Sequence, residues 1–172
     1  MSLPAEGTDV LLPADGTAAR LQRADRWLMA AFAAFTLVIG GIRATRNSFW
    51  VDEAATGLFM RTNLAGLARL LWREGGMGPY YVGLWIWTRF GHSDWWFRMF
   101  SVVGAAAAVL AVYVLARRLG GRATAVVASS AILANQAFQK HWSEARDYTW
   151  LAAAAPVALL CCAAFRSAPS WR

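Results

Sequence analysis

Charge is what this sequence has least of. Charged residues fill 16% of its 172 positions, against about 25% in an ordinary soluble domain. That shortage excludes a disordered chain and a charge-laced coiled coil, and it fits a water-soluble globule poorly. Cysteine is nearly absent as well. Cys161 and Cys162 are neighbours inside an apolar run, which excludes a disulfide framework and matches no metal-ligand or redox spacing. Lysine is reduced to Lys140, so sixteen of the seventeen basic residues are Arg, scattered between apolar segments. A nucleic-acid surface would gather them on one soluble face, so the net charge of +7 does not point to nucleic acid. The first 26 residues lack the short apolar core and small-residue cleavage site of a signal peptide. They read as a flexible tail ending in Arg20, Arg23 and Arg26.

Apolar residues are what is abundant, at 58% with ten tryptophans and a mean hydropathy of +0.37. Arginines bracketing apolar runs are the pattern of membrane helix ends. Four uncharged stretches approach spanning length: 27–42, 99–116, 123–139 and 148–165, of 16, 18, 17 and 18 residues. A hydrocarbon core of roughly 30 Å takes about 17–25 residues, and flanking Arg26, Arg43, Arg117 and Arg166 can extend them by snorkelling. A fifth stretch, 75–88, has 14 uncharged residues with Pro79 inside, a length suited to a re-entrant or interfacial segment. The expected fold is therefore all-α, a multi-pass transmembrane helical bundle of about four spans. Eight Lys/Arg fall in about 39 residues on the tail side and nine in about 64 on the other. This bias puts the N-terminal tail 1–26 and the end 166–172 in the cytoplasm. The transmembrane region is then 27–165, in the plasma membrane.

The first outer loop, 43–98, is too long for a connector. Met60, Leu64, Leu67 and Leu71 recur at helical spacing, with Arg61, Arg69 and Arg73 on the opposite arc. That pattern predicts an amphipathic helix in the interface plane. Pro79 to Phe90 is aromatic on nearly every side and Trp95 and Trp96 extend the belt, so the loop reads as a platform on the outer leaflet.

Two polar clusters stand out. Asp52 and Glu53 lie ten residues past the first span, where Asp52 fits an N-cap and Glu53 the first helical turn. The same pair at a membrane surface can accept a proton or help bind a divalent cation, and both roles are compatible. The second cluster is His141-Trp142-Ser143-Glu144-Ala145-Arg146-Asp147-Tyr148. Its charges are too costly for the hydrocarbon, at roughly 2.5–3.5 kcal/mol each at a helix centre. They belong at the outer interface, either as a plain polar loop with a local Glu–Arg pair or as part of a site. His92 and His141 fit packed or interfacial positions and belong to no metal spacing. In this topology both clusters face the same side.

Five segments in order resemble the C-type (GT-C) membrane glycosyltransferases, from about residue 27 to 160. Phe49-Trp50-Val51-Asp52-Glu53-Ala54 is similar to their Asp-Glu motif, and Gly78-Pro79-Tyr80-Tyr81 through Gly91 to their aromatic segment. The run from Ser93 to Ser101 is similar to the lead into their next span, and Ala116 to Arg122 to their short basic turn. Ser143 to Tyr148 matches their Glu-Ala-Arg-x-Tyr motif. The branch is that of the protein O-mannosyltransferases and the lipid A aminoarabinose transferase. The resemblance implies transfer of a sugar from a polyprenyl-phosphate carrier to an acceptor outside the membrane, with inversion. It makes Asp52 the base, with Glu53 orienting Asp52 or a bound cation. Glu144, Arg146 and Tyr148 would bind substrate, with Arg146 facing the leaving phosphate, and Tyr80 and Tyr81 would pack on lipid or sugar. Relatives often carry a His before the aromatic pair, where this chain has Gly76-Met77-Gly78. They also run to several hundred residues, so the chain is expected to be their N-terminal portion. The competing expectations are a non-catalytic membrane protein that binds lipid or a partner subunit, and a transporter half. No span carries the central charge or broken-helix pair of a transporter.

Overall fold

The computed structural model describes residues 15–45, 51–74 and 78–167. It is all-helical there: α1 (Asp15–Ala44), α2 (Val51–Met60), α3 (Leu64–Glu74), α4 (Gly78–Trp87), α5 (Asp94–Ala134), α6 (Gln136–His141) and α7 (Tyr148–Ser167). Three helices are long and apolar enough to cross a membrane, over Gln22–Ala44, Asp94–Ala134 and Tyr148–Phe165. α1 begins well ahead of residue 27, where the tail was expected to end. The stretch from Ala18 to Ala24 is rich in Ala, Leu, Gln and Arg, all good helix formers, so the apolar run simply continues a helix already under way.

α5 has 41 residues, about 60 Å if straight at 1.5 Å per residue and twice a hydrocarbon core. It is not straight. Gly121 has φ 82° and ψ −171°, a region essentially closed to residues with a Cβ. Beyond it the chain doubles back: Ala125 packs with Tyr113 and Ala116, and Leu133 with Ala105 and Val109. α5 is thus a helical hairpin of a long arm, 94–120, and a short one, 122–134. The short arm ends before residue 139 because Asn135 intervenes, its side chain accepting from the Phe138 N–H at 3.0 Å to start α6. That is N-cap behaviour.

α5 is the centre of the bundle, with α1 and α7 both packed chiefly against it. Small residues let the backbones close. A Cβ at Gly104 would stand 2.8 Å from both Thr149 and Trp150 of α7, the small-residue packing expected where lipid removes any hydrophobic drive between helices. At one end Asp25 of α1 accepts from Tyr113 Oη at 2.9 Å, Arg117 Nε at 3.1 Å and Arg122 Nε at 2.8 Å. This ties α1 to the hairpin turn.

At the other end α2, α3 and α4 form a small cap. The expected amphipathic helix over 60–73 is broken at Arg61–Asn63. Thr62 Oγ1 donates to Phe59 O and the Asn63 side chain accepts from the Gly66 N–H, both at 2.8 Å. Side chains that bond nearby backbone compete with helix continuation. Leu67 is fully buried with Met60, Tyr80 and Leu84, so this leucine faces protein, whereas Leu64 and Trp72 are exposed. Arg61, Arg69 and Arg73 are exposed as expected. α4, at ten residues, rises only about 15 Å, in keeping with the interfacial reading of 75–88. The aromatic belt is largely turned inward: the Trp87 and Trp96 rings stack with centroids 4.6 Å apart. Each indole N–H donates to the other residue's carbonyl, at 2.9 and 3.0 Å.

Candidate functional site

Glu53 stands in the first turn of α2 and is 2% exposed. Arg98, in the first turns of α5, forks onto it, Nη2 donating to Oε2 at 2.7 Å and Nε to Oε1 at 3.2 Å. The Ala145 N–H donates to Oε1 at 2.8 Å, and Arg98 Nη1 reaches Ala44 O at the end of α1, at 3.1 Å. Four segments therefore converge on one buried ion pair. Burying two charges is costly and is offset only when geometry and hydrogen bonding are near complete, as here. Glu53 lies 92 residues from Ala145, so the two acidic motifs share one end of the bundle. The coarse expectation of a common face holds.

Around this pair the 142–147 link is fixed to the long arm. Ser101 Oγ donates to Arg146 O at 2.9 Å, Thr149 Oγ1 donates to Ser101 O at 2.8 Å, and Tyr80 Oη lies 3.5 Å from Ser101 Oγ. Burial pushes the Tyr80 phenol well above its ordinary value, which keeps it a neutral hydroxyl. Tyr80 and Tyr81 pack edge to face, centroids 5.2 Å apart, and Tyr81 meets Phe59 at 6.0 Å. Glu144 Oε2 is 2.7 Å from His141 Nδ1, and the His141 ring lies 4.5 Å from that of Tyr148. Glu144 thus pairs with His141, where a local Glu–Arg pair was the plain-loop expectation. Arg146 is half-buried. Asp52 was expected at the N-cap, but α2 already begins at Val51, so Asp52 lies inside its first turn; its side chain is outside the described residues.

Two cavities open here. One, of about 760 Å³, is lined by Glu53, Arg61, Arg89, His92 and Asp94 among others; the Arg89 guanidinium lies 3.9 Å over the Trp85 ring. A second, of about 520 Å³, is lined by His141 and Tyr148 together with Asn135 and Phe138. The expected site residues therefore divide. Glu53 borders the first cavity, Tyr148 the second, and the two tyrosines of α4 sit in aromatic packing. Sequence reasoning gave Arg61 only to the polar arc of an interfacial helix and His92 to a packed or interfacial position, and it passed over Arg98, Arg89 and Asp94. The available signal was that Arg89, His92 and Asp94 interrupt two aromatic segments. Among the described residues no group of three or more His, Cys, Asp or Glu could hold a metal ion.

The arrangement offers a cavity mouth that sets basic Arg61 and Arg89 and His92 among acidic Glu53 and Asp94, beside a rigid ion pair. No protein-family model, curated protein or solved structure matches this chain.

Proposed function

We propose that this chain is a membrane glycosyltransferase, or the N-terminal part of one. It would transfer a sugar from a polyprenyl-phosphate carrier to an acceptor at the outer face of the plasma membrane. The proposal includes four spans, the two arms of α5 counted separately, with the N-terminus cytoplasmic. The observation that supports it best is the Glu53–Ala145 hydrogen bond of 2.8 Å, which joins the two motifs that carry the resemblance beside an open cavity of about 760 Å³. In this reading Asp52 is the base that takes the acceptor's proton. Glu53 is a positioning residue, since its carboxylate is already held by Arg98 and Ala145. Arginines at the rim, Arg61 and Arg89, would meet the carrier phosphate. That engagement of Glu53 also favours a second reading, a non-catalytic lipid- or partner-binding protein in which the acidic motif is architectural.

The test is transfer from a polyprenyl-phosphate sugar, labelled in the sugar, by membranes carrying the full chain. Asp52→Asn keeps the size of a first-turn side chain, so it should leave protein amount unchanged while transfer falls by at least about 10², the lower bound for a general base. No transfer by the unaltered chain overturns the reading that it is by itself the enzyme, and unchanged transfer in Asp52→Asn, wherever transfer is seen, overturns Asp52 as the base.

A further inference from the structure

A groove of about 580 Å³ lies between α1 and the short arm of α5, with one end beside the His141–Tyr148 cluster. Its walls are apolar, with Leu28, Phe32 and Ile39 on one side and Leu133 on the other, and Arg43, Gln139 and Trp142 close one end. From Leu28 to Ile39 the wall runs about 17 Å at 1.5 Å per residue, close to the roughly 15 Å of one leaflet of the hydrocarbon core.

The closed end carries a cation whose described partners are all neutral. Arg43 donates to Gln139 Oε1 at 3.1 Å and to Gln139 O at 3.4 Å, and its guanidinium lies 5.2 Å from the centre of the Trp142 ring. A guanidinium has five donors, so most of the fork is left for an anion. Trp142 is 1% exposed, and its indole N–H is buried with no acceptor among the described residues. That is a rare condition for a buried donor. An apolar channel one leaflet long, ending in a cation with no anionic partner among the described residues, has the chemistry of a phospholipid of net negative charge.

We propose that this groove is a binding site for an anionic phospholipid, with an acyl chain along Leu28, Phe32 and Ile39 and the phosphate at Arg43. It is separate from the cavity bordered by Glu53 and does not depend on the transferase reading. Phosphate and guanidinium form charge-assisted, geometrically specific contacts, so head-group charge decides selectivity while the groove supplies affinity.

The experiment is thermal unfolding of the purified full chain in detergent, titrated with phosphatidylglycerol or with phosphatidylcholine of the same acyl chains. Phosphatidylglycerol should raise the midpoint saturably, at a concentration about tenfold below that needed with phosphatidylcholine. Inorganic phosphate alone should leave it unmoved. Arg43→Gln should abolish the preference and Arg43→Lys, which keeps the charge, should retain it. Ala31→Trp, which fills the groove, should weaken the response to both lipids. Equal responses to the two lipids, a preference that survives Arg43→Gln, or no effect of Ala31→Trp would each overturn the proposal. A lipid-independent dimer disrupted by Ala31→Trp would assign the groove to a second copy of the chain and overturn it as well.

Discussion

Replacing Arg98 with Met should damage this protein as much as any single change to a charged residue. The substitution removes the fork that holds Glu53 at 2.7 and 3.2 Å and the donor that covers Ala44 O at 3.1 Å. It leaves a carboxylate at 2% exposure without its counter-ion. Removing one member of a buried pair costs about 3–5 kcal/mol. In a chain of this size each kcal/mol moves the unfolding midpoint by roughly 2–4 °C, so the expected fall is roughly 6–20 °C. Glu53→Gln alone should fall in the same range, because it strands the guanidinium instead. The double variant is the decisive measurement. With both charges gone, a neutral amide can still accept from the Ala145 N–H, and the loss should be smaller than the sum of the singles by about 0.5–3 kcal/mol. Tryptophan fluorescence during heating in a single detergent reads all three variants. Additive losses, within about 0.3–0.5 kcal/mol, or an Arg98→Met midpoint unchanged from the unaltered chain, would refute the reasoning.

Three further outcomes test the architecture. With four spans, Asn63→Cys and Lys140→Cys should react with a membrane-impermeant maleimide from one side and Arg118→Cys only from the other. Modification of Arg118→Cys and Lys140→Cys from the same side would remove that count. Gly121→Ala forces a Cβ into φ 82° and ψ −171°, at a cost of order 1–3 kcal/mol, and should lower the unfolding midpoint. Gly57→Ala, inside α2 with nothing within 4 Å of the new Cβ, should hold or raise the midpoint by the helix preference of Ala over Gly.

Run length and uncharged composition made the helices legible in the sequence, because a spanning helix must satisfy its backbone within itself. The shared end of the two acidic motifs was legible too, through the order of apolar runs between them. Periodicity could show that Leu67 is buried but not by what. A leucine stripe reads the same whether lipid or protein covers it, and here Met60, Tyr80 and Leu84 do. The break at Arg61–Asn63 was signalled only by Thr62 and Asn63, whose backbone-seeking side chains an apolar period ignores. Arg98 was hidden for a different reason. Counted as a charge near a helix start, it looked like an interfacial arginine, and its pairing with Glu53 spans 45 residues, a contact no local pattern encodes. The tryptophans misled in the same way: an indole at an interface and an indole pinned to a carbonyl, as in Trp95 to Gly41 O at 3.1 Å, have identical neighbours in sequence.

Asp25, Arg117 and Arg122 at one end and Glu53 and Arg98 at the other sit where packing alone would be ambiguous. The long arm of α5 is apolar nearly all round, its buried positions dominated by Ala, Gly and Val, so small shifts along its axis change its apolar contacts little. Lipid supplies no hydrophobic preference between such helices. Polar contacts at both ends of the arm remove the ambiguity. At one end Asp25 engages Tyr113, Arg117 and Arg122; at the other Arg98 binds Glu53 and Ala44 O. A one-residue slip of α1 along α5 would displace the chain by about 1.5 Å and rotate Asp25 by about 100°, breaking the first network and pulling Ala44 away from Arg98. Two separated anchors on one rigid rod also fix the end that carries the acidic motifs, since neither can adjust without the other. In a bundle of small side chains these two networks set the register of α1 on α5.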